Sequence, residues 1–383
     1  MLDFNFTEEQ EMFRRAVRDF ARKELAPGIK ERVKSMVFPR ELIKAMANIG
    51  LTAMNVPEEY GGQPTDWVTM GIAIEELTKV DFCASSIVFF DVGQAIILRL
   101  ASEEVKQKWL VPMAAGDKVL CMGSTEPDAG SDVAGIKMRA VKEGDHYILN
   151  GEKSSITYGM QGDAITTFAK TDPELGARGI TPFLVPFESP GVIRSAFDDM
   201  GWEPLGRASV IMDNVRIPSE YRLGEEGKGF SKVMHMFDSA RALAGLQALG
   251  MAEASLENAI SYAKERHAFG QPIAAFQGVS SKLAEAATKI ELGRWLCYRT
   301  LWMRDQGIPH VKESAMCKWW CPEVAMGIIH DALIIHGHVG FSKEYPVEQR
   351  FRDSIGLEIG DGTSNIMKVI IARQILGREF VPA

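Results

Sequence analysis

Apolar positions keep a helical spacing at both ends of the chain and an alternating one in the middle. From Met12 they recur through Phe13, Val17, Phe20 and Ala21, the three- and four-residue steps of an amphipathic helix. Thr7 precedes that run and Gln10 stands three residues on, so Thr7 is expected to cap the helix reciprocally with Gln10. Residues 1–120 read as helices broken by a loop at 57–62. Residues 121–226 change texture. Short alternating runs such as 146–149 and 181–185, divided by Gly, Asp and Pro, predict a compact β domain. Helical periodicity returns over 227–383, nearly unbroken from Phe230 to Arg266 and from Gln277 to Gln306. Helices, then strands, then helices predict an α+β class with segregated elements rather than βαβ alternation.

Composition narrows the function. The 383 residues suffice for two or three packed modules, and 46% apolar with 25% charged residues is ordinary for a globular protein. A net charge of −8 argues against a nucleic-acid partner. No apolar run approaches the roughly 18 residues of a membrane span. The opening MLDFNFTEEQ lacks the basic and apolar regions of a signal peptide, so a cytoplasmic location is expected. Cys83, Cys121, Cys297, Cys317 and Cys321 form no CxxC pair and are expected to be reduced and structural. His336 and His338 flank a glycine and suggest a loop rather than a metal site; no metal is expected. No G-x-G-x-x-G follows a strand, so a Rossmann dinucleotide fold is not supported.

The segment 123–135 gathers small residues, hydroxyls and turn formers. Its backbone N–H groups and hydroxyls can approach a planar polar ligand closely. Within it, Thr125-Glu126-Pro127 and Ala129-Gly130-Ser131-Asp132 resemble the first signature of the acyl-CoA dehydrogenases. Asn150-Gly151-Glu152-Lys153, leading to Ile156-Thr157, is similar to the flavin-facing strand of that family. Phe237-Asp238-x-x-Arg241 is similar to the start of its long helix beside the CoA tunnel. Arg266-His267-Ala268-Phe269-Gly270, followed by Gln277-Gly278, is similar to the segment that reaches FAD across a subunit contact. From Gly337 through Tyr345-Pro346-Val347-Glu348 and Arg352-Asp353 to Asp361-Gly362-Thr363-Ser364 the chain resembles the second signature and the base loop. These matches run in family order over the whole chain.

The resemblance implies an N-terminal helical domain (1–120), a middle β-barrel (121–226) and a C-terminal four-helix bundle (227–383), assembled as a homotetramer. It implies FAD as cofactor, an acyl-CoA substrate and an electron-transfer flavoprotein as acceptor. Thr125, Ser131, Ile156, Thr157, Arg266, Phe269, Gln277, Gly337 and Thr363 would contact FAD. Ser131, Asp238, Arg241, Gly360 and Gly362 would line the acyl-CoA. The chemistry needs a carboxylate within about 3 Å of the departing proton and donors for the developing enolate oxygen.

Departures from the family pattern redirect the expectation. The family's base is usually Glu in Tyr-Glu-Gly-Thr, whereas this chain has Gly360-Asp361-Gly362-Thr363. One lost methylene retracts the carboxylate by about 1.5 Å, and a misplacement of about 1 Å can cost on the order of 100-fold in rate. Gly360 removes a large side chain, which makes room for a bulkier, cyclic acyl group. The alternative base position before Arg241 is Ala240. Ser155 replaces the usual flavin-side Trp, and Ile334 and His338 replace a Gln and a Gly of the second signature.

Asp91 is the only ionisable group in 84–98, a segment that runs along the acyl pocket in the family. Burying an unpaired carboxylate costs several kcal/mol or forces protonation, and such groups are retained where a shifted pKa is useful. The competing reading is an Asp paired with an Arg or capping a helix. Asp91 and Asp361 together resemble the branch acting on alicyclic carboxyl-CoA esters. There the expected reaction is 1,4-elimination of cyclohex-1-ene-1-carboxyl-CoA, with Asp91 as base and Asp361 in a secondary role. Rival expectations are α,β-dehydrogenation of cyclohexanecarboxyl-CoA with Asp361 as base, a nitroalkane-type oxidase, and a non-catalytic flavoprotein scaffold.

Overall fold

The computed structural model describes residues 5–381, with backbone alone for 229–237 and 239. The first helix, Glu8–Phe20, begins as expected: Thr7 accepts from the Gln10 amide while the Gln10 side chain accepts from the Thr7 amide. The loop at 57–62 holds one 3₁₀ turn, Glu58–Tyr60. The two long C-terminal periodicities are the helices Gly229–Glu265 and Gln277–Asp305. Contacts divide the chain into two units, one formed by the N-terminal stretch to Pro27, Asp66–Ser85 and Asp238–Ala383, the other by Gly28–Thr65 and Ser86–Phe237.

The first unit is helical. Glu8–Phe20 packs on Trp67–Val80, which packs in turn on Gln277–Asp305. Val311–His336 lies against Gln277–Asp305, Pro346–Ile359 and Ser364–Leu376. Trp67–Val80 is not amphipathic as the N-terminal pattern predicts, since residues 70–78 are all buried. Its two acidic side chains are paired: Glu75 accepts from Arg294 at 2.7 Å and from Tyr298 at 2.6 Å, and Glu76 accepts from Arg18 at 2.8 Å. Helices cover it on more than one side, so a polar face toward water has no use there.

The second unit is built on one sheet: β1 (Leu120–Gly123), β2 (Arg139–Glu143), β3 (His146–Ile156), β4 (Ala164–Lys170), β5 (Ile180–Pro186), β6 (Val192–Ala196) and β7 (Ala208–Pro218). The strand order is β1-β4-β2-β3-β7-β6, with β5 also paired to β4. Both alternating runs of the sequence are strands, within β3 and β5. Tyr147, Leu149, Phe168, Phe183, Val210 and Val215 are buried in its core, and the Tyr147 and Phe183 rings meet at 4.9 Å. Thus helical segments flank a middle β domain in sequence, the α+β arrangement that the periodicities predict.

Candidate active site

Asp361 sits in a tight turn between Pro346–Ile359 and Ser364–Leu376. Its φ is +52°, a left-handed conformation that Asp tolerates better than most residues, and Gly362 follows at +98°. A Cβ on Gly362 would also come within 2.6 Å of Met367 Cε. Thr363 caps the next helix, its hydroxyl accepting from the Ile366 amide at 3.3 Å. Gly360 ends the preceding helix with extended backbone.

Three charged side chains surround this turn. Arg241 donates to Asp238 at 2.8 Å, one helical turn away, and its Nε is buried with no hydrogen-bond partner among the described residues. Lys318, fully buried on Val311–His336, donates to the Leu357 and Gly362 carbonyls, the latter at 3.2 Å. Burial pushes the Asp361 carboxyl above its usual range, while the Lys318 and Arg241 cations pull it back. Burial likewise brings the Lys318 amine down to about 8, opposed by the charge of Asp361. The structure thus brings Asp238, Arg241, Gly360, Asp361, Gly362 and Thr363 together and adds Lys318. The sequence carries one signal for Lys318, a lone cation within the apolar stretch 315–322.

The residues that the resemblance assigns to the flavin ring, Thr125, Ile156 and Thr157, lie in the β unit. The Ser154 amide donates to the Thr125 carbonyl at 2.9 Å, tying the 123–135 loop to β3. Beside it β3 bulges: pairing with β7 slips between Lys153 and Ile156, and Ser155 has φ +62°. A bulge re-aims the residues after it, here Ile156 and Thr157, both buried. Neither the Thr125 nor the Thr157 hydroxyl has a hydrogen-bond partner among the described residues, which suits a pair awaiting the polar edge of a planar ligand. Glu126 supports the loop from beneath, accepting from the Lys137 amide at 2.5 Å, the Met138 amide at 3.0 Å and Lys153 at 2.8 Å. Lys153 is fully buried, and desolvation lowers its amine to about 8 against the pull of Glu126. Both residues lie inside the sequence motifs, yet their pairing emerges only from the fold. Ser131 is exposed on the same loop.

Asp91 lies on Phe82–Leu98 at 7% exposure. Its helical neighbours at three and four residues are Ile87, Val88, Gln94 and Ala95, all buried and none charged. It neither caps the helix nor meets a cation among the described residues, and burial holds its carboxyl well above the usual range. Gln94, one turn on, donates to the Cys121 carbonyl at 2.8 Å and accepts from Thr166 at 2.7 Å, bonding this helix to β1 and β4.

Arg266, Phe269 and Gln277 lie on a separate stretch of the helical unit. Arg266 precedes a small hairpin whose strands, His267–Ala268 and Gln271–Pro272, present Phe269 at 97% exposure, and Gln277 opens the next helix, also exposed. Gly337 ends Val311–His336 with φ +63°. His336 is not in a loop, as its glycine neighbour suggests. It closes that helix, buried and stacked on Tyr262 at 4.7 Å, because the flanking glycine acts as the helix stop. All five cysteines are buried and unbridged.

Comparison with known proteins accounts for this layout. Models of the acyl-CoA dehydrogenase N-terminal, middle and C-terminal domains match residues 7–117, 121–215 and 227–376. The chain belongs to the acyl-CoA dehydrogenase family. It is 39% identical over 374 residues to the mitochondrial short-chain specific acyl-CoA dehydrogenase of Rattus norvegicus, covering 96% of this chain and 90% of that one. A chain from a structural study of the electron transferring flavoprotein of Acidaminococcus fermentans superposes with a TM-score of 0.94 at 38% identity, covering 98% of this chain and all of that one. A glutaryl-CoA dehydrogenase from Mycobacterium smegmatis in complex with FADH2 superposes with a TM-score of 0.90 at 30% identity, covering 97% and 95%. The protein is therefore an FAD-dependent oxidoreductase of acyl-CoA CH–CH bonds. The Thr125 and Thr157 hydroxyls, without partners among the described residues, fit such a cofactor. Among the described residues no helix is long and apolar enough to cross a membrane.

Proposed function

We propose that the substrate is an alicyclic acyl-CoA and that the reaction is the 1,4-dehydrogenation of cyclohex-1-ene-1-carboxyl-CoA to cyclohexa-1,5-diene-1-carboxyl-CoA. The observation carrying this reading is Asp91: a buried carboxylate with no partner among the described residues, which Asp361, half-buried beside two cations, does not duplicate. The ring has no α proton to lose. Asp91 takes the C3 proton, the C3–H pair forms C2=C3, the C1=C2 pair moves to C1=C6, and hydride leaves C6. FAD, when bound, supplies the hydride acceptor. A base with a raised pKa is matched to a weak carbon acid near neutral pH. Asp361 and Arg241 serve the thioester end, where Gly360 leaves room for a ring. Thr125, Thr157 and Ile156 hold the flavin, with Ser131, Gly337 and Thr363 along the rest of FAD. A second subunit contributes Arg266, Phe269 and Gln277 within a homotetramer. An electron-transfer flavoprotein is the acceptor, a reading supported by the likeness to the A. fermentans chain.

The test assays cyclohex-1-ene-1-carboxyl-CoA and cyclohexanecarboxyl-CoA with an artificial electron acceptor. Asp91→Asn is expected to lower turnover of the cyclohexene ester on the order of 1,000-fold, with Asp361→Asn less damaging. Intact turnover in Asp91→Asn, with none in Asp361→Asn, sinks the assignment and leaves Asp361 as an ordinary α,β-base.

A further inference from the structure

The Asp361 turn is held from outside itself. Leu357 lies in the last turn of Pro346–Ile359, where backbone carbonyls have no intrahelical partner. Lys318 supplies that partner, and the same amine donates to the carbonyl of Gly362, just beyond Asp361. One ammonium therefore spans the turn on both sides of the carboxylate. It also sets a cation against the negative end of the helix. The donor is rigidly placed, since Lys318 is fully buried in the N-terminal third of a helix packed on three others. Just before the second anchor the backbone takes positive φ at Asp361, which costs a non-glycine residue energy that the surrounding structure offsets, while Gly362 accepts positive φ freely.

We propose that Lys318 is a positioning residue of the dehydrogenation: it clamps the 357–362 turn so that Asp361 is aimed into the site, and it supplies a cation against which Asp361 ionises. The charged groups acting on this pair are Arg241, from the long helix, and Glu358, from the helix that precedes the turn. Asp238 neutralises part of Arg241, and Lys368 and Glu323 act on Glu358 in opposite directions. Lys318 is thus the nearby cation with no carboxylate hydrogen-bonded to it among the described residues. The proposal requires that Asp361 belong to the reaction site, whichever aspartate takes the proton.

The experiment follows flavin reduction in the FAD-loaded enzyme by rapid mixing with the faster of the two thioesters, from mildly acid to mildly alkaline pH. Wild type, Lys318→Met, Asp361→Asn and the double variant are compared. Lys318→Met is expected to slow reduction on the order of 100-fold, the effect of moving a reacting group by about 1 Å. The acid limb that Asp361→Asn abolishes should move to higher pH, because losing a cation raises the Asp361 pKa further. In the Asp361→Asn background the same change should cost less than about threefold, since coupled residues are non-additive. An unmoved acid limb, or an equal loss in both backgrounds, makes Lys318 a structural residue only and overturns the proposal. An Asp361→Asn enzyme with wild-type rate and pH profile overturns it differently, by removing Asp361 from the site. Should Lys318→Met not fold, Lys318→Gln, which keeps a donor for one carbonyl but no charge, gives the same comparison.

Discussion

Asp91 is buried beside Ile87, Val88 and Ala95, and its ionisation has no compensating partner among the described residues. The linkage has a definite sign. The folded pKa is raised above the unfolded value of about 3.9. The folded state therefore keeps a proton that the unfolded chain releases, and Asp91 subtracts stability progressively as pH rises from the unfolded toward the folded pKa. Asp91→Asn should thus be more heat-stable than wild type at alkaline pH, by roughly 1 °C per kcal/mol recovered, and nearly equal to it at acid pH. Thermal unfolding at both pH values checks this. A gain that does not grow with pH means that Asp91 is paired or solvated.

At the scale of elements, the wall that carries the proposed flavin contacts Thr125, Ile156 and Thr157 depends on a buried ion pair. Glu126 holds two loop amides and Lys153 together, and Lys153 comes from β3 just before its bulge. Removing one member of a buried pair leaves the other uncompensated, at about 3–5 kcal/mol. Lys153→Met is expected to lose FAD on gel filtration, read as a falling flavin-to-protein absorbance ratio, and to unfold at lower temperature. Full FAD retention would show that the wall stands without the pair. A similar device ties Phe82–Leu98 to the sheet through Gln94, whose amide satisfies the Cys121 carbonyl and the Thr166 hydroxyl. Such links keep the helix bearing Asp91 in register with β4 and with β1, the strand that leads to Thr125.

For the whole molecule, the hairpin after Arg266 is the informative feature. Phe269 is almost fully exposed at φ +52°, and its only ring neighbour among the described residues is Phe276, at 6.1 Å. A large apolar side chain displayed on a hairpin tip suits a contact with another copy of the chain. Phe269→Ala is therefore expected to weaken the proposed tetramer and lower FAD occupancy together, measured by light scattering and flavin absorbance on one sample. Loss of neither removes the hairpin from the cofactor site.

Local signals settled a large share of this protein. The capping residues, the strands around Tyr147 and Phe183, the two long helices and the ordered motifs were legible in sequence because periodicity and turn chemistry act over a few residues. They sufficed for the family, the cofactor and the anomaly at Asp361. Burial was not legible. Trp67–Val80 loses its polar face because helices distant in sequence cover it, and His336 ends a helix that its glycine neighbour disguised. Lys318 reaches the Asp361 turn from 39 and 44 residues away. Asp91 has no partner among the described residues only because of what packs around it. Desolvation and long-range pairing belong to the assembled core, so tertiary structure alone decided which carboxylates are perturbed and which cations attend them.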